Sequence, residues 1–397
     1  MKKSYKYRFY PTRSQLSILE NILSMCRYLY NWSLLEKIEA YKKEKKTISY
    51  IDQQNKLPDL KNQRPWFKGV YSLVLQDVLR RLDKSYKQFF RQKKGFPKFR
   101  KKGQFTSICY TQHNTLPVND TLTIPKIGDV KIRYHRKIPK NAKIKTLTLL
   151  KEGGKWFCSF SLEIEDQEEL KHNTKSAIGI DLGLEHFIYT SDNIHFDALK
   201  AYKSYVKNLK KLQRKLKKTT KRTNKYQRVL KALQKAHYRI KCKRVGYHHY
   251  LIGKILKDND VIFYEDLDIC NMVKKPKPIK DEKTDQYLPN GARQKAHLNR
   301  SILDVSWGSF IKALILRAKN AGKKAIAVDP KNTTQRCFSC SKMVPKKLKD
   351  RIHDCPFCKV VLPRDYNSAL EILRLGLESL GLVFNKALEA PTIMQGI

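Results

Sequence analysis

Acidic residues are scarce in this chain. Its 397 residues hold 36 Asp and Glu against 83 Lys and Arg, a formal net charge of +47. The scarcity is uneven, because between Asp197 and Asp258 there is no acidic residue at all. A surface made only for solubility mixes both signs, so an acid-free stretch of this length asks for a large polyanion, and nucleic acid fits best. Long apolar runs are also missing. No stretch of about 18 apolar residues occurs, which excludes an expected membrane span. The basic start Met1–Lys6 leads into no apolar signal core, so the expectation is a cytoplasmic, nucleoid-associated protein and not a secreted one. Disulfide-type cysteine usage is absent too. There are nine cysteines: Cys26, Cys109, Cys158, Cys242 and Cys270 are scattered, and the other four fall between 337 and 358. An odd total with one tight cluster suits a reducing compartment and a metal site. What is present is apolar mass, 41% hydrophobic with 21 Tyr and 16 Phe, enough to build cores and too much for a disordered basic tail.

The periodicity changes several times along the chain. Residues 4–10 alternate like a half-buried strand, and Pro11 ends them. Leu16, Leu19, Ile22, Leu23, Cys26, Leu29 and Tyr30 then recur at helical spacing, as do Leu75, Val78, Leu79, Leu82, Tyr86 and Phe89. Beyond the basic, Pro/Gly-broken segment 93–102 come short β-rich runs at 105–111, 121–124, 129–134, 145–150 and 156–164. Buried strands are expected at 176–181, 187–190, 261–265 and 325–328. Two apolar stripes around a polar Lys217–Lys225 predict a helical hairpin with a basic outer face. Residues 273–300, with Pro276, Pro278, Pro289 and Gly291, read as a mobile loop before a helix over 304–320. A last helix is expected from Tyr366 to Leu380.

Two groups of residues carry chemistry. Cys337-x-x-Cys340 and Cys355-x-x-Cys358 have the spacing of a tetrahedral Zn²⁺ site with four thiolates. Such a site has no open position, so its one zinc ion is structural. His353, inside the loop between the two pairs, reads as a surface residue and not a ligand. The second group is three acids: Asp181 and Glu265 each end a strand, and Asp365 opens a helix. Acids at strand ends can converge at one edge of a sheet, and carboxylates without thiol or imidazole suit Mg²⁺. Two such ions activate water and stabilise the leaving oxygen in phosphodiester hydrolysis. Taken singly, Asp365 also reads as a helix cap and Glu265 as a surface strand end.

The order of these motifs resembles a known family. Gly179-Ile180-Asp181-Leu182-Gly183-Leu184, Tyr264-Glu265-Asp266-Leu267, the paired cysteines and Arg364-Asp365-Tyr366-Asn367-Ser368-Ala369 look like TnpB, the OrfB-type transposon-encoded family related to type V CRISPR effectors. Trp307–Gln335 and Gly95–Lys102 resemble it as well. The resemblance implies an α/β and α+β multidomain protein. Asp181, Glu265 and Asp365 would be the catalytic triad of an RNase H-like (RuvC) nuclease with two Mg²⁺ ions and a zinc ribbon insertion. A β-barrel-like wedge domain would carry a helical recognition insertion. The expected segments are a wedge strand at 1–13, the recognition domain at 14–92 and the wedge β-domain at 93–175. The nuclease domain would cover 176–332, with the basic hairpin at 200–245, and resume at 362–397 after the zinc module at 333–361. The activity implied is cleavage of double-stranded DNA beside a short transposon-adjacent motif, directed by a transposon-derived guide RNA, with one protein monomer per RNA.

The resemblance points to Gln76, Gln112 and Asn114 as contacts to the adjacent motif. Basic residues interleaved with aromatics, among them Lys98, Arg100, Lys101, Lys210 and Arg214, are expected on phosphates, with Tyr and Phe available for stacking. The chain departs from the family pattern in its long 273–300 segment. It also has Ser341 and Lys359 where glycine usually follows the second cysteine of each pair. Three rival readings stand beside the main one: a nuclease-inactive, RNA-guided regulator; a guide-free RuvC-like resolvase or transposase; and a small CRISPR effector.

Overall fold

The computed structural model describes residues 2–164 and 176–382, apart from 93, 114, 222, 282 and 348. The chain divides into two compact units, Met1–Glu168 and Glu169–Ile397.

The first unit opens with β1 (Lys2–Tyr10) and then runs through α1 (Arg13–Glu44), α2 (Tyr50–Asn55), α3 (Leu57–Gln63) and α4 (Ser72–Gln92). Thr12 and Gln15 form a capping box at the start of α1, which satisfies backbone N–H groups that a helix start leaves open. Five more strands follow: β2 (Ser107–Tyr110), β3 (Thr121–Ile124), β4 (Gly128–Arg133), β5 (Lys143–Glu152) and β6 (Lys155–Glu163). They form one antiparallel sheet in the order β2-β5-β6-β1-β4-β3. The strand met first in sequence therefore lies between β6 and β4. Helix residues such as Leu19, Ile22, Leu29, Leu75 and Leu79 share one apolar core with Tyr7, Phe9, Leu147 and Phe160 of the sheet.

The second unit begins with β7 (Ala177–Asp181), β8 (His186–Thr190) and β9 (His195–Asp197). The acid-free stretch follows as α5 (Ala201–Lys218) and α6 (Asn224–Asp258), packed along Leu209, Ala236 and Ile240. Then come β10 (Val261–Glu265), α7 (Ile269–Met272), the short ladder β11 (Ile279–Lys280) and β12 (Tyr287–Leu288), α8 (Ala292–Val305), α9 (Trp307–Asn320) and β13 (Lys324–Val328). The chain closes with β14 (Ile352–Asp354), β15 (Val361–Pro363) and α10 (Arg364–Ser379). The main sheet has the order β13-β10-β7-β8-β9; β13, β10 and β7 are parallel, and β8 and β9 are added antiparallel.

Alternation along the central strands sorts the core into two layers. Ile178, Ile180, Ile262 and Tyr264 face Leu251 and Ile252 of α6 and Phe310 and Leu314 of α9. Val261 and Phe263 face Ile372 and Leu373 of α10. Both faces of the parallel strands are thus covered by helices, the usual condition of a parallel sheet.

Two expectations need correction. Residues 273–300 are not a loop throughout, because α8 begins at Ala292. Pro289 and Gly291 read as continued loop, but Gly291 takes φ 67° as the residue that starts the helix, and Ala, Arg, Gln, Lys and Leu carry it on. The helix expected over 304–320 is broken at Ser306, whose φ of 63° separates α8 from α9.

Candidate nuclease centre and zinc module

Asp181 is the last residue of β7 and Glu265 the last of β10. The two strands pair in parallel, with Ile180 opposite Tyr264, so both acids leave the same edge of the sheet. By the period of two, Asp181 lies on the face of Gly179, and Glu265 on that of Phe263, which is the face covered by α10. Asp365 is the second residue of that helix.

Two glycines allow the helix this position. A Cβ on Gly179 would lie 2.2 Å from the Ala369 carbonyl oxygen and 2.7 Å from the Leu373 nitrogen. A Cβ on Gly376 would lie 2.2 Å from the Phe263 ring. Backbone thus rests on backbone at β7 and on an aromatic face at β10, and the first turn of α10 reaches the strand ends.

Acids gathered this way disfavour their own ionisation. Asp181 is held well above the usual carboxylate range, first by burial and then by the charges of Glu265 and Asp365; Arg364 and the Leu182 backbone act in the opposite direction. Burial also raises Glu265, opposed by the Thr333 hydroxyl, which donates to Glu265 Oε1. Arg364 Nε and Nη2 both lie 3.0 Å from Asp365 Oδ1. Sequence reading assigned no role to Thr333 or Arg364. Thr333 lies in the stretch preceding the cysteines and Arg364 beside Asp365, so adjacency was the one available signal.

The four cysteines are arranged differently. Their sulfurs all lie within 4.8 Å of one another, with Cys337–Cys358 and Cys340–Cys355 each at 3.6 Å. A tetrahedral ion with Zn–S bonds of about 2.3 Å sets its sulfurs roughly 3.8 Å apart. The donor set therefore fits Zn²⁺ with little movement. Ser341 and Lys359, the two departures from glycine, take φ of 59° and 61°. Each donates its backbone N–H to the carbonyl of the first cysteine of its pair, at 2.9 Å. The knuckle turn is kept at some conformational cost.

His353 is not the surface residue expected. It is fully buried on β14 and neither ring nitrogen has a hydrogen-bond partner among the described residues. Burial, and then the Lys346 ammonium, push its pKa down to about 4. The alternation of a three-residue strand turns its ring inward, opposite Leu362 of β15.

Asn367 ties the two centres together. Its Oδ1 accepts from the Phe338 N–H at 3.2 Å and its Nδ2 donates to the Arg336 carbonyl at 2.8 Å. It is fully buried, two residues beyond Asp365. Phe338, Leu362, Tyr366 and Leu370 pack beside it with Tyr189.

The nucleic-acid candidates are dispersed. Gln76 is half-buried on α4, and Gln112 is exposed just past β2. Asn114 lies outside the described residues. Lys98, Arg100 and Lys101 are exposed after α4; the Arg100 backbone is held by the Asn31 amide, and its guanidinium lies 5.4 Å from the Tyr30 ring centre. Lys210 and Arg214 are exposed on α5. In the same unit a cleft of about 770 Å³ is lined by Arg244, Lys275, Lys295 and Arg300. Its Asp304 accepts from the backbone N–H groups of Tyr202 and Lys203 and pairs with Arg244 at 2.7 Å. No helix among the described residues is long and apolar enough to cross a membrane.

Three family comparisons match the chain. Residues 159–275 match the OrfB/IS605 family described as "Probable transposase", residues 1–46 its "Helix-turn-helix domain", and residues 307–372 the "Cas12f1-like, TNB domain". The chain is 29% identical over 378 residues to "Putative RNA-guided DNA endonuclease InsQ" of Escherichia coli K12, covering 94% of this chain and 92% of that protein. It is 27% identical over 384 residues to a "Putative RNA-guided DNA endonuclease" of Streptomyces pristinaespiralis, covering 95% and 90%. Among solved structures it aligns with a Cas12f1–sgRNA–target DNA complex at 15% identity, TM-score 0.35, covering 95% of this chain and all of that one. It also aligns with the mini-RNA-guided endonuclease CRISPR-Cas_phi3 at 11% identity, TM-score 0.41, covering 95% and 92%. With its two strand-end acids, the Arg-Asp-Tyr-Asn helix start and the paired cysteines in this order, the chain carries the domains of the OrfB/IS605 TnpB family.

Proposed function

We propose that this chain is an RNA-guided DNA endonuclease of a transposable element, using a RuvC-like centre built by Asp181, Glu265 and Asp365. The observation that carries the reading is their convergence: two acids at adjacent parallel strand ends face a third on α10, and Asp181 is electrostatically burdened by both. Such a donor set fits Mg²⁺, an oxygen-seeking cation. Bound there, two Mg²⁺ ions would supply an activated water and stabilisation of the departing 3′ oxygen. The chain's own part is positional. Gly179 and Gly376 seat the helix that carries Asp365, Thr333 orients Glu265, and Arg364 holds Asp365 beside the other two. The basic α5–α6 hairpin and the cationic cleft would hold a guide–DNA duplex by its phosphates, a reading their charge supports. The first unit would serve as wedge and recognition lobe, with Gln76, Gln112 and Asn114 toward the adjacent motif. One monomer would carry one guide.

The rival of a nuclease-inactive regulator is disfavoured by the presence of all three acids. A guide-free resolvase or transposase would not need the large first unit. The test is to purify the protein from its host, sequence the RNA that accompanies it, and assay Mg²⁺-dependent cleavage of matching DNA. Asp181→Ala should abolish cleavage and leave RNA binding near wild type. Absence of a bound structured RNA removes the RNA-guided reading, and wild-type cleavage by the variant removes the triad.

A further inference from the structure

The edge of the main sheet carries a second group of metal-type donors that the nuclease reading does not use. His186 on β8 and His195 and Asp197 on β9 bring one ligand atom each to within 4.8 Å of one another. Three features set this group apart from an incidental surface pair. First, the residues are on adjacent strands and not on loops: His186 is opposite Asp197 in register, and His195 and Asp197 share a face of β9 by the period of two. Second, the register shifts between His186 and Ile188, a bulge-type irregularity that re-aims a side chain. Third, the donors are supported from outside. The Tyr189 ring stacks on His195 at 5.5 Å and 27°, and the Tyr247 hydroxyl donates to the Asp197 carbonyl.

The charge environment points the same way. In a chain of +47, Asp197 pairs with no Lys or Arg among the described residues; its ion-pair partner is His186 Nδ1 at 2.8 Å. Its side chain is 78% exposed and that of His186 32%, so an ion can reach both from solvent.

We infer that His186, His195 and Asp197 form a binding site for a divalent transition ion of the Zn²⁺, Co²⁺ or Ni²⁺ type. Two imidazoles and one carboxylate select these ions over Mg²⁺, which prefers oxygen alone. Tetrahedral bonds of about 2.0 Å would draw the three donor atoms to roughly 3.3 Å apart, a movement that exposed side chains on a sheet edge can make. Three protein ligands leave at least one position for water or a phosphate oxygen. The site also has a defined place relative to the acids. Asp181 pairs with Tyr189 and Tyr189 with His195, so the three form one cross-strand row. Asp181 and His195 are therefore two strand spacings apart, about 9.6 Å between backbones.

The test is metal counting on the tag-free full chain. Protein is equilibrated with about 10 µM Zn²⁺ in millimolar Mg²⁺, which competes for the carboxylate centre, then freed of excess ion and analysed for zinc. The wild type should retain about two zinc ions per chain, and His186→Asn with His195→Asn about one. Asp197→Asn, which removes one of the three ligands, should weaken the second ion by more than about tenfold, since loss of even an outer partner costs that much. Co²⁺ taken up second should show a weak visible band of nitrogen and oxygen ligation without a sulfur charge-transfer band. A zinc-free melt of the double variant matching that of wild type establishes that the fold is kept; if the double variant does not fold, the same count is made on Asp197→Asn. One zinc per wild-type chain, or equal counts in wild type and folded variant, overturns the inference. Neither result bears on cleavage by the Asp181 centre.

Discussion

The four thiols and the three carboxylates lie in the same unit and differ in how far the fold alone has gathered each donor set. The thiol site is almost finished. Its sulfurs are already near tetrahedral spacing, each pair is closed by its own turn, and the ligands of a pair are three residues apart in sequence. The carboxylate site is assembled from two strands and a helix, and its members repel one another. The three carboxylates do not bring one oxygen each to within 4.8 Å of one another, as the four sulfurs do. Local turns build one site and global packing builds the other. The first should fail by losing its ion, and the second by losing its geometry.

The largest effect expected is on the thiol side. Cys355→Ser with Cys358→Ser should reduce zinc from about one ion at this site to none and lower the unfolding midpoint by about 10 °C or more, since structural zinc binding is itself folding free energy. Asn367 should then lose its partners on Phe338 and Arg336, so cleavage should fall as well. Zinc analysis and thermal melts check this. A double variant that melts like wild type would mean the module is held by packing alone.

Next is a change that attacks packing and spares the thiols. Gly179→Ala places a Cβ 2.2 Å from the Ala369 carbonyl oxygen, so α10 must move off β7. Overpacking of this kind costs about 1–3 kcal/mol, and displacement of Asp365 by even about 1 Å should lower cleavage roughly 100-fold. Zinc content should not change. If cleavage falls only in proportion to folded protein, the helix position is not what sets the acid geometry.

The same contrast explains what could be read in advance. The cysteine spacing is a short-range signal, and the four thiols it singles out are the ones the fold gathers within 4.8 Å of one another. The strands ending in Asp181 and Glu265 were visible as short buried runs, but nothing in composition says that they are neighbours; the family's motif order carried that step. Gly179 and Gly376 were legible only as glycines, because their importance lies in what would touch a Cβ. His353 was misread since a residue between two knuckles looks solvent-exposed until β14 turns it inward. The helix α8 was hidden by the prolines and glycine before it, which mark a boundary as readily as a loop. The pair His186 and His195 gave no spacing signal, being joined by strand register across a hairpin.

A third prediction concerns the repulsion itself. In Mg²⁺-free protein the folded pKa of Asp181 lies above its ordinary value, so its contribution to stability is present at low pH and is lost as pH rises through the folded pKa. Asp181→Asn removes that ionisable group. The variant should melt higher than wild type at pH 7.5 without Mg²⁺, and the gap should close toward pH 4 and on adding Mg²⁺ to the wild type. Melts of the two proteins side by side at each pH decide it, the thiol site being zinc-loaded in both at pH 7.5 and protonated in both at pH 4. A variant that melts lower at pH 7.5 would show that the carboxylate is stabilised there by neighbours such as Arg364 and not burdened by Glu265 and Asp365.

The smallest effect expected is at Thr333, and it tests how much order the carboxylate side has before metal. Among the described residues the Thr333 hydroxyl is the contact to the Glu265 carboxylate that offsets its burial, and the residue itself is 2% exposed. Thr333→Val keeps the branched shape and removes the donor. Glu265 would then face a deeper penalty for ionising and would be free to rotate. A supporting contact of this kind is worth about tenfold in metal affinity or activity. Cleavage should therefore need roughly ten times more Mg²⁺ to reach half its maximal rate, with the maximal rate nearly kept and the melting point little changed. That pattern separates orientation from assembly. A fall in maximal rate that no Mg²⁺ concentration restores would mean that Thr333 helps to place the acid in the way that Gly179 places the helix. The carboxylate side would then be as dependent on prior order as the cysteines are.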